Sequence, residues 1–125
     1  MRNALKKTLI TSMILFASSC TTTSYTVQKE LSKIEECKST EPFFSKSRIC
    51  IKQSVIASQV INTDLANTME DLVDILETRL NQNKLSNDMA WKLLEDNLII
   101  AIQPNTDEEA LSAAAKINTF IDSIN

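Results

Sequence analysis

The sequence predicts an all-α protein with a small four-helix bundle-like domain, and three observations lead to this expectation. No glycine occurs among the 125 residues, although tight hairpins and left-handed turns rely on glycine's freedom at positive φ. The two prolines, Pro42 and Pro104, fall between stretches of helical periodicity, where proline is expected at helix boundaries. Apolar residues recur every three or four positions in four stretches separated by short polar segments, so we expect the helices to pack antiparallel around one core.

The N-terminal segment has the three parts of a secretory signal peptide. Its cationic start contains Arg2, Lys6 and Lys7. An apolar stretch from Leu9 to Ala17 follows, and small residues come after it. This stretch is shorter than the roughly 20 residues that cross a hydrocarbon core, and the polar run at residues 21–24 follows at once, so a lasting transmembrane helix is the weaker alternative. We expect residues 1–19 to be cleaved.

The segment ends in Phe16-Ala17-Ser18-Ser19-Cys20, which resembles the lipobox of bacterial lipoproteins, with Ala17 where leucine is typical. The resemblance implies cleavage before Cys20 and two or three acyl chains on that residue. Because Thr21 follows the cysteine in place of aspartate, it also implies transfer to the outer membrane, facing the periplasm. Two or more acyl chains hold a protein stably at a membrane. Ordinary cleavage after Ser19, without a lipid, is the alternative.

Cysteine parity bears on this choice, because an odd number of cysteines in an exported chain leaves one thiol unexplained. If Cys20 carries the lipid, Cys37 and Cys50 are left to pair in the oxidising periplasm. That disulfide would tie the first predicted helix to the start of the second and stabilise the domain by roughly 3 kcal/mol through loop entropy. Without the lipid, Cys20 would remain a free thiol at the N-terminus of a secreted protein.

The mature chain is predicted to begin with a flexible tether at residues 20–26, which reaches at most roughly 20 Å at about 3.3 Å per residue. A helical domain at residues 27–125 follows. Its first helix is expected over residues 27–38, where Val27, Leu31 and Ile34 recur along one side.

The next segment, residues 39–47, is expected to be a loop, with Ser47 as the N-cap of the second helix. It contains the adjacent aromatics Phe43 and Phe44. One of these rings is expected to close the end of the core, and a partner-binding role for the pair is the alternative.

Residues 49–80 carry the longest amphipathic pattern. Its apolar members are Ile49, Ile56, Val60, Ile61, Leu65, Met69, Leu72, Leu76 and Leu80. Either one helix of about 50 Å or two helices with a bend fits the spacing, at 1.5 Å per residue. Asn62-Thr63-Asp64 marks the point where a new N-cap is available.

The C-terminal third contains three local signals. In the polar turn at residues 81–86, an asparagine is expected to adopt the left-handed conformation, and Ser86 is expected to cap the next helix. That helix should end before Pro104. Thr106 and Glu109 form a capping box at the start of the last helix. The last helix is expected to bury Ala110, Leu111, Ala114, Ile117, Phe120, Ile121 and Ile124.

The composition makes a catalytic function improbable. The chain has no histidine, which removes the commonest general base and the favoured zinc ligand, and no serine has a lysine three residues after it. Glu70, Asp74 and Glu77 share a helix face, but such a run is typical of a solvated stripe rather than a metal or acid-catalysis site. We therefore predict no catalytic residue, no metal site and no cofactor.

The charge and the architecture favour a binding role. Without residues 1–19 the chain has ten basic and sixteen acidic side chains, a net charge of −6, which argues against a nucleic-acid partner. Trp91 is expected beside the apolar stripe, with its indole N–H reaching water; a binding hot spot is the alternative.

We expect a non-enzymatic, membrane-tethered interaction or assembly factor for an envelope protein, since grooves between helices bind amphipathic helices. In general plan the chain resembles the pilotins of secretion systems, which are small helical lipoproteins; the resemblance concerns layout alone and assigns no binding residues. The alternative is a carrier or sensor of an apolar small molecule in a cavity between the helices.

Overall fold

The computed structural model describes residues 31–125, and this part of the chain is all-α, as predicted. Residues 1–30 lie outside the described residues. The expected signal peptide at 1–19, the tether at 20–26 with Cys20, and the start of the first helix therefore remain predictions. The helical elements are α1 (31–40), α2 (Phe44–Cys50), a π-helical segment (Ile51–Ile56), α3 (Ala57–Gln59), α4 (Thr63–Asn81), α5 (Asn87–Ile102) and α6 (Asp107–Ile124).

Helix α4 is the centre of the bundle and packs against both α5 and α6. Its apolar stripe of Leu65, Met69, Leu72 and Leu76, at spacings of four, three and four, is completely buried, as the periodicity predicted. The largest fully buried side chains of the single core are Trp91, Phe44, Ile34, Ile51, Ile56, Leu65, Met69, Leu72, Leu76, Leu94, Leu98 and Ile117.

The long amphipathic stretch divides into two parts. Val60 has an extended backbone, and Asn62 is the N-cap of α4, accepting a hydrogen bond from the backbone N–H of Leu65 at 3.0 Å. Of the two alternatives that the spacing left open, the structure has the helices separated at Asn62. An asparagine side chain satisfies one of the N–H groups that a helix start leaves unpaired, so the break has a local cause.

The π-helical segment changes which residues face the core. A π-helix closes i→i+5 bonds and so shifts the register of a helix face. Ile51, Val55 and Ile56 are buried, whereas Ile49 and Ile61, which were expected on the apolar stripe, are exposed. Their predicted burial was wrong: Ile49 precedes the π-helical segment, which shifts the register of the helix face, and Ile61 lies in the non-helical break between α3 and α4.

The boundary between α1 and α2 also differs from the prediction. Helix α1 extends to residue 40, and α2 begins at Phe44, so the loop is shorter than the expected 39–47. Ser47 is not an N-cap; it is buried within α2, and its hydroxyl donates to the carbonyl oxygens of Cys37 and Glu41. The residue that caps α2 is remote in sequence, because Asn87 Oδ1 accepts from the Phe44 N–H at 2.8 Å.

The local signals of the C-terminal third are confirmed with one change. Asn83 has φ 59°, and Ser86 accepts from the Met89 N–H. Thr106 accepts from the Glu109 N–H at 3.1 Å, but Glu109 returns its bond to the N–H of Asn105 rather than to Thr106. The second hydrogen bond of the capping box therefore goes to Asn105, one residue before the N-cap Thr106.

Helix α6 buries most of its predicted side, but Leu111 is exposed. Leu111 is four residues after Asp107, whose carboxylate accepts from the Asn62 side chain. Residues four apart share one side of a helix, so Leu111 lies on the solvent-exposed side of α6 that carries Asp107 rather than in the core. Its predicted burial was wrong because its side lies at the margin of the apolar stripe.

Candidate functional site

Cys37 and Cys50 come together at the junction of α1 and α2. They form a disulfide bond, and their Cα atoms are 5.8 Å apart, within the usual range for such a bond. Cys37 is buried and Cys50 partly buried. The disulfide therefore joins the end of α1 to the end of α2 across the short loop that contains Pro42.

This loop is fixed onto helix α5 by polar contacts. The Pro42 carbonyl accepts two hydrogen bonds, from Asn87 Nδ2 at 2.9 Å and from Trp91 Nε1 at 2.8 Å. The Asn87 side chain thus forms hydrogen bonds on both sides of Phe43, since its Oδ1 also accepts from the Phe44 N–H. The segment closed by the disulfide is consequently held to the bundle at a defined position.

Trp91 is the centre of this arrangement. It is only 1% exposed, and its ring meets that of Phe44 edge to face, with centroids 5.3 Å apart. Trp91 was expected at the core edge with its N–H reaching water; in the structure it is buried and its N–H donates to the Pro42 carbonyl. Phe44 fills the core while Phe43 is exposed, so the expectation that one of the two rings closes the core is confirmed.

Two open clefts lie beside α5 and α6, and the first also borders the end of α4 and the turn that follows it. The first, of about 250 Å³, is lined by Arg79, Lys84, Leu85, Leu93 and Ile124. The second, of about 330 Å³, is lined by Ile100, Gln103, Pro104, Glu109, Ser112, Ala113 and Lys116. Because α5 and α6 follow each other through a short turn, the first cleft lies where α5 begins and α6 ends, and the second lies at the opposite end. The two clefts are separate, and we refer to the pair of them as the α5–α6 groove.

The acidic stripe singled out in the sequence is partly neutralised within the fold. Asp74 accepts from Lys52 at 2.9 Å and lies 3.3 Å from Arg48, and Arg48 also pairs with Glu77 at 3.4 Å. These ion pairs join α4 to α2 and to the π-helical segment. Among residues 31–125, no group of three or more acidic or cysteine side chains is gathered in a way that would hold a metal ion.

A pair of carboxyl groups lies between α1 and α5. Burial, followed by the neighbouring carboxyl group of Glu35, raises the pKa of Glu95, and Lys38 partly opposes this shift. A group whose pKa is raised in the folded protein stabilises the fold below its unfolded pKa. That contribution is lost as the pH rises through the folded pKa, so ionised Glu95 is unfavourable at neutral pH.

Replacing Glu95 by glutamine is therefore expected to raise the melting temperature slightly at pH 7 and to leave it nearly unchanged at pH 4. The neutral amide keeps the size of the side chain and removes the ionisation that burial disfavours. Thermal unfolding followed by circular dichroism between pH 4 and pH 8 measures this difference. Glu36→Gln, at an exposed position of α1, is the matched control and should not change the pH dependence; equal behaviour of both variants would contradict the account.

The α5–α6 groove was not predicted from the sequence. Phe120 and Ile124 were expected to be buried, but in the structure they are only partly buried, as are Leu93 and Ile100. A signal was present, since Leu93 and Ile100 are two turns apart on one side of α5, away from the most buried positions. Within the described part of the chain, no helix has the length and apolar character needed to cross a membrane.

Comparison with known proteins gives no further assignment of the fold or of the groove. No protein-family model, no curated protein and no solved structure matches this chain.

Proposed function

We propose that this protein is a lipoprotein of the bacterial cell envelope, anchored through acyl chains on Cys20 and facing the periplasm, at the outer membrane. There it acts as a non-enzymatic interaction or assembly factor for another envelope protein. The anchor rests on the signal-peptide pattern and on the lipobox-like residues before Cys20. The interaction role rests on the α5–α6 groove.

The groove is the single observation that carries the interaction role. Its two clefts are open to solvent, and the core beside them is filled by completely buried side chains. A carrier of apolar small molecules generally encloses most of its ligand surface. Open clefts at the surface instead suit a ligand that belongs to the surface of another protein. These features support the interaction role over the carrier role.

Cross-linking in intact cells tests the proposal. A tagged full-length chain should link reproducibly to one envelope protein, and that protein should co-purify after mild detergent extraction. The matched control is Cys20→Ala, which should lose both the membrane attachment and the cross-link, because the partner and this chain would no longer share one surface. Isolation of the chain with a stoichiometric, non-covalently bound apolar molecule and no linked protein would contradict the interaction role and favour a carrier.

A further inference from the structure

We infer that the exposed side of α2 rests on an anionic phospholipid surface, that of the bilayer in which Cys20 is anchored, and this inference rests on the proposed anchor. The contact surface consists of Phe43, the N-cap residue of α2, together with Lys46 and Ile49, and we call it the α2 face. Its apolar side chains, its local charge, its rigidity and its distance from the anchor each support this assignment.

The α2 face exposes two large apolar side chains on a helix whose opposite side lies in the core. Phe43 is 60% and Ile49 69% exposed, whereas Phe44 and Ser47 are buried. Positions 43, 46 and 49 follow one another at intervals of three, so they are neighbours along one side of the helix. The Lys46 ammonium lies 5.3 Å from the centre of the Phe43 ring, which places a cation beside the apolar surface.

The segment that carries the α2 face has no acidic residue. Residues 42–62 contain three basic and no acidic side chains, a net charge of +3, while residues 63–125 contain four basic and twelve acidic ones, a net charge of −8. Arg48 and Lys52 pair with carboxylates of α4, but Lys46 takes part in none of the ion pairs within the described residues. An anionic surface therefore attracts the α2 side of the domain and repels the C-terminal helices.

The α2 face is held in place at both ends. At its start, the Pro42 carbonyl accepts hydrogen bonds from Asn87 and Trp91 of α5. At its end, the disulfide fixes Cys50 to α1. A surface that is already ordered loses little conformational entropy when it binds. Helices that lie in a membrane interface combine apolar side chains such as phenylalanine with lysine or arginine in this way.

The proposed anchor keeps the α2 face close to the bilayer. Leu31 is eleven residues after Cys20, and a chain of this length spans at most about 40 Å at about 3.6 Å per residue. The membrane surface is thus present at a high effective concentration. Three side chains are also too few for a specific protein interface, which covers roughly 800 Å² on each partner. Lipid therefore fits the α2 face better than a protein partner does.

Photo-cross-linking in vesicles tests the inference. The full-length chain is extracted from membranes in mild detergent and reconstituted into vesicles that contain phosphatidylglycerol and, separately, into vesicles of phosphatidylcholine alone. p-Benzoylphenylalanine replaces Ile49 in one variant and Leu111 of α6, which is also exposed, in a matched control. In the phosphatidylglycerol vesicles, we expect at least about tenfold more phospholipid adduct from position 49 than from position 111.

Charge reversal at Lys46 tests the electrostatic part. Lys46→Glu should lower the adduct from position 49 at least about fivefold in phosphatidylglycerol vesicles and change it little in phosphatidylcholine vesicles. Lys116→Glu, which alters an exposed charge of α6, should leave the adduct unchanged in both. Added salt should reduce the adduct in phosphatidylglycerol vesicles, because counterions screen the attraction. Equal adducts from positions 49 and 111, or an adduct that does not respond to Lys46→Glu, would overturn the inference.

The outcomes separate this inference from the proposed anchor. Flotation with the vesicles and the mass of the Cys20 peptide report on the anchor without the cross-link. An acylated chain that floats but shows no preference for position 49 would overturn the lipid contact and leave the anchor intact. An unmodified Cys20 on a chain that does not float would overturn both. In intact cells, an adduct of position 49 with a protein or with a second copy of this chain, in place of phospholipid, would also overturn the lipid contact.

Discussion

Replacing Trp91 by alanine is expected to lower the free energy of unfolding by about 3–5 kcal/mol, the usual cost of removing a large buried aromatic side chain. The indole is fully enclosed, contacts the Phe44 ring and donates to the Pro42 carbonyl. Its loss leaves a cavity beneath the loop between α1 and α2 and removes one of the bonds that hold this loop on α5. Urea denaturation of the full-length chain, followed by circular dichroism, measures the change.

Trp91→Phe separates the hydrogen bond from the packing. Phenylalanine retains most of the apolar volume but has no N–H donor, so the expected loss is smaller and includes about 1 kcal/mol for the hydrogen bond. Asn87 still donates to Pro42 in this variant. If alanine and phenylalanine at position 91 gave equal destabilisation, or if alanine cost less than about 1 kcal/mol, the central packing role of Trp91 would be wrong.

Removing the disulfide by the double substitution Cys37→Ala and Cys50→Ala is expected to cost roughly 3 kcal/mol, because the unfolded chain regains the entropy of an unconstrained loop. The bond closes a sequence separation of 13 residues and joins α1 to the end of α2. The urea midpoint should fall by a corresponding amount. The expected change is large for a small domain, whose net stability is only about 5–15 kcal/mol.

Reductant supplies the control for the disulfide prediction. Dithiothreitol should destabilise the wild-type chain by a similar amount and have no effect on the double variant, which has no bond to reduce between these positions. A wild-type midpoint that does not respond to complete reduction would mean that the hydrogen bonds of Ser47, Asn87 and Trp91 hold the loop without help from the cysteines.

The features that the sequence predicted well are local. The caps at Asn62, Ser86 and Thr106 each act on an N–H three residues later, and the left-handed Asn83 lies in the turn where an asparagine was expected. Such contacts depend on a few neighbouring residues, so a short stretch of sequence is enough to predict them. The apolar stripe of α4 was predicted for the same reason, since its period is set within one helix.

The features that the sequence did not reveal are tertiary. The cap of α2 comes from Asn87, 43 residues after Phe44. The π-helical segment at 51–56 shifts the register of the buried helix face, and no local residue preference predicts this segment. The α5–α6 groove depends on which sides of the two helices α4 leaves uncovered. Periodicity gives the apolar side of a helix but not the neighbour that covers it, so Leu93 and Phe120 could not be distinguished from core residues.

The account depends most on an acylated Cys20 as the first residue of the mature protein. Mass spectrometry of the full-length product, extracted from membranes of the native host and digested, tests this directly. The account predicts an N-terminal peptide that begins at Cys20 and carries a diacylglycerol-linked sulfur, with or without a third acyl chain on the amino group. An unmodified Cys20 on a freely soluble product, or a product that retains residues 1–19, would contradict it.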